Sequence, residues 1–212
     1  MRSLNRRVLM ALAGAIAFFG LGTGMASTVD SAAATPVIPG GGYCEVAADG
    51  GVFTFGTAFF YGSMGGHALN RPIVGMAATP DGKGYWLVAS DGGIFAFGDA
   101  TFYGSTGSLT LNKPIVGMAA TPDGGGYYLV ASDGGIFAFG NAGYYGSEGG
   151  AVLNKPIVGM AATSDGKGYW LVAADGGIFT LGSASFFGSM GGNPLNAPVV
   201  GMAPANFGDA TR

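Results

Sequence analysis

Pro114-Ile-Val-Gly-Met-Ala-Ala-Thr-Pro-Asp-Gly-Gly-Gly-Tyr-Tyr-Leu-Val-Ala-Ser-Asp-Gly-Gly-Ile-Phe-Ala-Phe-Gly140 recurs, with small changes, along most of the chain. Tyr43, Tyr85, Tyr127 and Tyr169 mark one position in successive copies, spaced 42 residues apart. A fixed period of roughly 20 to 50 residues is the signature of a repeat architecture. Within the quoted unit, Ile115 to Thr121 predicts a first strand and Pro122 to Gly125 a turn, with Pro setting φ and Gly supplying positive φ. Tyr127 to Ser132 predicts a second strand, apolar throughout as expected when both faces are buried. Asp133-Gly134 between two apolar runs is a strong hairpin signal. Ile136 to Phe139 is the expected third strand and Gly143 to Ser147 a short fourth.

The 212 residues include 43 glycines, too many for helices, since each interior Gly costs roughly 1 kcal/mol against Ala. Val, Ile, Phe and Tyr fill the intervals between them, so the expected class is all-β. Four short antiparallel strands in each unit describe the blade of a β-propeller. Units run 42–83, 84–125, 126–167 and 168–209, with 210–212 a tail. The first opens on its second strand, and Val199 to Ala203 is an unmatched first strand at the other end. That strand is expected to complete the opening unit, closing four blades and removing a free sheet edge. The Gly-Met-Ala segments at 75–77, 117–119, 159–161 and 201–203 suit a crowded ring axis. An open four-unit array that dimerises, or a β-solenoid, is the competing architecture.

Before the repeats, Arg2, Arg6 and Arg7 precede an apolar run from Val8 to Phe19 and a small-residue continuation to Ala26. This is the pattern of a secretory signal over residues 1–34, with cleavage after Ala26 or Ala34. Its length approaches that of a bilayer span, so an uncleaved anchor is the alternative. Residues 35–41 read as a flexible lead-in. The whole chain has nine Lys and Arg against twelve Asp and Glu, a net charge of −3. Losing Arg2, Arg6, Arg7 and Asp30 makes it −5, which repels nucleic acid. A single cysteine, Cys44, allows no internal disulfide.

Ala-Ser-Asp-Gly-Gly-Ile-Phe-Ala-Phe-Gly at 89–98 and 131–140, with Pro-Ile-Val-Gly-Met-Ala-Ala-Thr-Pro-Asp-Gly at 72–82 and 114–124, resembles the Gly-rich propeller-type tandem repeats of exported actinobacterial proteins. Thr-Pro-Asp-Gly-Lys-Gly-Tyr at 79–85 is similar to the Ser/Thr-Pro-Asp-Gly turn of several propeller families. Ser-Asp-Gly-Gly-x-Phe resembles the Asp-box turns of sialidase propellers, which are structural. The resemblance covers residues 42–203 and implies export to the cell envelope or beyond, without a particular activity.

Chemistry-bearing residues are few. His67 is the one histidine, which excludes histidine metal clusters, and no Gly-x-Ser-x-Gly elbow accompanies it. Asp49, Asp91, Asp133 and Asp175, like Asp81, Asp123 and Asp165, each precede Gly at an expected turn, where Asp serves the backbone. Glu45 and Cys44 depart from the repeat, replacing Leu and an aromatic residue, and read as seam residues. No catalytic residue, metal or cofactor is expected. The aromatic pairs Phe60-Tyr61, Phe102-Tyr103, Tyr144-Tyr145 and Phe186-Phe187 either stack on sugars or pack between blades. The loops before each first strand vary most between units, the mark of a binding face. The candidate ligand-binding residues are therefore Tyr61, His67, Asn70, Tyr103, Asn112, Tyr145, Asn154 and Asn196. The expected function is non-enzymatic binding of an extracellular polymer, such as cell-envelope glycan, or of a protein. A structural or interaction module is the alternative, and a glycan hydrolase the third.

Overall fold

A computed structural model describes residues 41–205, so the expected signal segment and most of the lead-in lie outside the described residues. Eleven strands and no helix occur among those residues. They form one two-stranded and three three-stranded antiparallel sheets. The first sheet holds β1 (Gly42–Val46) and β2 (Val52–Gly56). The second holds β3 (Ile73–Ala78), β4 (Gly84–Ala89) and β5 (Ile94–Gly98). The third holds β6 (Ile115–Ala120), β7 (Gly126–Ala131) and β8 (Ile136–Gly140). The fourth holds β9 (Ile157–Ala162), β10 (Gly168–Ala173) and β11 (Ile178–Gly182). Boundaries fall within a residue of the sequence expectation for the first three strands of the quoted unit.

The middle strands explain why no alternation is visible in the sequence. Tyr85, Leu87 and Ala89 of β4 pack toward Val52 of the first sheet, whereas Trp86 and Val88 pack toward Ile115, Tyr127 and Leu129 of the third. β7 repeats this, sending Tyr128 and Val130 against Tyr169 and Leu171. Every side chain of these strands is buried on one face or the other, so polar residues have no place in them. The core is thus three seams between successive sheets, not one central mass.

The first strands lie side by side, as the Gly-Met-Ala segments suggest. A methyl on Gly75 would touch the Gly117 Cα at 3.7 Å, one on Gly117 the Gly159 Cα at 3.9 Å, and one on Gly159 the Gly201 Cα at 3.5 Å. Sheets stacked face to face with their inner strands adjacent are packed as blades of a β-propeller.

Two expectations need correction. The fourth strand is missing: residues 143–147 and their counterparts form no ladder. A tyrosine hydroxyl from the next sheet satisfies that backbone instead. Tyr169 Oη donates to the Gly146 carbonyl at 2.6 Å and accepts from the Tyr145 amide at 3.1 Å. The same pair of bonds joins Tyr85 to Gly62 and Tyr61, and Tyr127 to Gly104 and Tyr103. The closure is also not made. Residues 199–203 form no strand, and β1 pairs only with β2 among the described residues. Val199 is held by its amide to the Ala174 carbonyl at 2.9 Å, as Ile157 is to Ser132 and Ile115 to Ser90. The segment therefore enters like a first strand, but its own middle strand is not beside it.

Candidate functional site

The two rims of the array are built from different turns. On one rim, Asp49, Asp91, Asp133 and Asp175 each accept the amide two residues on through Oδ1, at 2.9 to 3.0 Å. The variable loops arrive at the same turns: the Met64, Thr106, Glu148 and Met190 amides donate to the carbonyls of Gly50, Gly92, Gly134 and Gly176. Loops and Asp-Gly hairpins thus share a rim. His67, Asn70, Asn112, Asn154 and Asn196 are all exposed on it. An open cleft of about 330 Å³ lies there, between Arg71, Asp91, Leu109, Asn112 and Lys113.

On the other rim, Thr79, Thr121 and Thr163 are buried polar residues that tie each first-to-second-strand turn. The Thr79 hydroxyl accepts from the Gly84 amide at 2.9 Å and meets the Asp81 carboxylate at 2.9 Å. Asp123 and Asp165 stand in the same relation to Thr121 and Thr163, at 2.7 and 2.6 Å. These bonds hold the carboxylates charged. The Lys83 amide and then the Thr79 hydroxyl lower the Asp81 pKa from 3.8 to about 2. For Asp123 and Asp165 the threonine hydroxyl is the leading cause of a downward shift. A second open cleft, of about 320 Å³, is bordered by Asp81, Asp99, Asp123, Trp86 and Tyr103, and Lys83 pairs with the Asp81 carboxylate at 3.2 Å beside it.

The eight candidate residues therefore divide. Tyr61, Tyr103 and Tyr145 are not on the loop rim with the asparagines and His67. Their hydroxyls donate to the Gly82, Gly124 and Gly166 carbonyls of the next sheet's turn, at 3.2, 2.9 and 3.1 Å. Their rings are half-buried in the seams, each beside a glycine (Gly98, Gly140 and Gly182) whose methyl would meet the ring at 2.9 Å. In the first three aromatic pairs the other member is the exposed one, whereas Phe186 and Phe187 of the fourth are both exposed. Phe60, Phe102, Tyr144 and Phe186 are 59%, 57%, 63% and 60% exposed, one per unit at the same repeat position. Composition alone could not separate the two members, but the second is Tyr in three units out of four, and a hydroxyl retained at a seam signals a bond there. Arg71, Lys113 and Asp99 were also missed; the first two follow Asn in the recurring Asn-Arg/Lys-Pro.

Glu45 is exposed on β1 opposite Phe53, and Cys44 is a half-buried free thiol packed with Val52, Ile73 and Tyr85. Both lie on β1 of the outermost sheet, where no closure seam is formed among the described residues. Among the described residues no three His, Cys, Asp or Glu side chains form a metal-ligating group.

No family model matches the chain, and no curated protein does. A solved structure that it is similar to is the β-propeller domain of Cps50 (Swd1) from Myceliophteria thermophila, at 9% identity and a TM-score of 0.46. The match covers 68% of this chain and 49% of that one, so the chain spans about half the length of the propeller it matches.

Proposed function

We propose that the chain is an exported, non-enzymatic binding module for an extracellular surface polymer, with cell-envelope glycan the preferred class. The observation that carries this reading is the row of exposed rings at Phe60, Phe102, Tyr144 and Phe186. Each presents an apolar face to solvent at the same place in its unit, and the spacing is fixed by a rigid scaffold. A ring stacks on the apolar face of a sugar, and a polymer repeats that sugar. Weak contacts placed in register then add through effective concentration. The recurring aspartates, in contrast, are occupied in their own turns and offer no pair of free carboxylates for hydrolysis. Export rests on the residues 1–34 read as a signal.

Sedimentation with insoluble cell-wall polysaccharide tests the proposal. The purified chain should co-sediment, and Phe102→Ala with Tyr144→Ala should release it to the supernatant while its thermal melt stays unchanged. Retention that survives both substitutions would exclude these rings as the contact. An interaction or structural module is the second reading, favoured by the unmatched sheets at the two ends of the array.

A further inference from the structure

Those two ends are unlike, and they complement each other. At one end, β1–β2 has no inner strand among the described residues, and Tyr43 is 62% exposed where its counterparts Tyr85, Tyr127 and Tyr169 are buried. At the other end, Phe187 is the counterpart of Tyr61, Tyr103 and Tyr145, yet it is 87% exposed. Residues 199–203 are the counterpart of β3, β6 and β9; Gly201 lies against Gly159 on one side, and its other side is open, with Val200 85% exposed. Inside the chain the same two half-surfaces meet three times. Each time, an aromatic segment and an inner strand from one side cover the middle strand that follows.

We propose that residues 186–203 of one copy of this chain complete the β1–β2 sheet of a second copy, and that the exchange is reciprocal. Each copy gives once and receives once, so two copies close head to tail in a ring of four sheets from each, with no middle strand left without an inner neighbour. The contact between copies is the continuation of the three seams already present within one chain. Gly56 would seat Phe187 as Gly98 seats Tyr61, and the Tyr43 hydroxyl would reach the Gly188 carbonyl as Tyr85 reaches Gly62. The register is set by the internal pairs Ala77↔Trp86, Ala119↔Tyr128 and Ala161↔Trp170. Advancing one unit places Ala203 of one copy opposite Cys44 of the other.

Light scattering on the purified full-length chain should give twice the mass of one chain. A mass of one chain, or an open series of larger species, overturns the proposal. The register is tested by Ala203→Cys, because residues directly opposite on antiparallel strands lie within disulfide reach. Under mild oxidation a non-reducing gel should show two chains linked, and Cys44→Ala in the same background should abolish the link. A disulfide formed within one chain would mean that the array closes on itself, and a dimer whose thiols stay free would place its interface elsewhere; either result overturns the proposal.

Discussion

The Tyr85 hydroxyl donates to the Gly62 carbonyl at 2.6 Å across the seam between two sheets. It also accepts the Tyr61 amide, so one side chain replaces two bonds of a strand ladder. The outer segment of each of the first three units is thereby fastened to the following sheet as well as to its own. This makes successive blades mutually dependent, because each of these outer segments is shared between two units.

Adjacent tyrosines of β7 should behave oppositely on loss of the hydroxyl. Tyr127→Phe leaves the Gly104 carbonyl and the Tyr103 amide unpaired in a buried seam, which costs about 1–3 kcal/mol. Tyr128 occupies the place of Trp86 and Trp170, whose indole N–H groups donate to the Thr101 and Ser185 carbonyls at 2.8 Å. Its own hydroxyl is buried without a partner among the described residues, and burial pushes its pKa up to about 12. Tyr128→Phe should therefore be neutral or stabilising. Urea unfolding of the two variants checks the contrast, and equal losses would refute it.

Glycines with the same dihedral should differ in cost. Gly82 has φ +71° and open space around it, so Gly82→Ala carries only the strain of the left-handed region, about 1 kcal/mol. Gly98 has φ +70°, but a methyl there would collide with the Lys83 carbonyl and the Tyr61 ring. Gly98→Ala should cost about 3 kcal/mol or more. Thermal melts of the pair separate backbone strain from the close approach of the seam.

Acid should weaken the turn rim. The folded-state pKa of Asp81 lies near 2, below its ordinary 3.8, and Asp123 and Asp165 are shifted the same way. A depressed carboxylate contributes stability that is present above the unfolded value and is lost as pH falls through the folded one. The melting temperature should fall as pH drops from above 3.8 toward 2. Replacing all three residues with Asn should flatten that fall. A triple variant with an unchanged acid slope would assign the loss to other groups.

Loss of one exposed ring should weaken polymer retention modestly, and loss of two should weaken it by more than the sum, since the contacts act through effective concentration. Phe102→Ala and Tyr144→Ala should each alter stability by no more than about 0.5 kcal/mol, being solvent-exposed. Binding isotherms on the single and double variants measure the steepness directly. Additive losses would mean that the rings are engaged one at a time.

Period, strand positions and turns were legible in the chain because each is a local property. Asp133-Gly134 makes its hairpin wherever it stands, and Tyr127 to Ala131 is apolar because both its faces are covered. The fourth strand was not legible: Gly143 to Ser147 has strand-like composition, but its bonding partner is a hydroxyl on Tyr169, over twenty residues along and in another sheet. For the same reason the sequence paired Tyr103 with Phe102 as one aromatic feature. Only packing against the next unit sends Tyr103 into the seam and leaves Phe102 in solvent.

By itself the sequence determined that the chain is all-β, that it repeats every 42 residues, and that its aspartates serve turns. Those outcomes follow from backbone preference and short-range hydrogen bonding, which depend on neighbours along the chain. Tertiary structure alone decided which aromatics are exposed and that Val199 to Ala203 does not reach β1. These depend on the angle at which one sheet stacks on the next, a property of the seam as a whole that no single unit encodes.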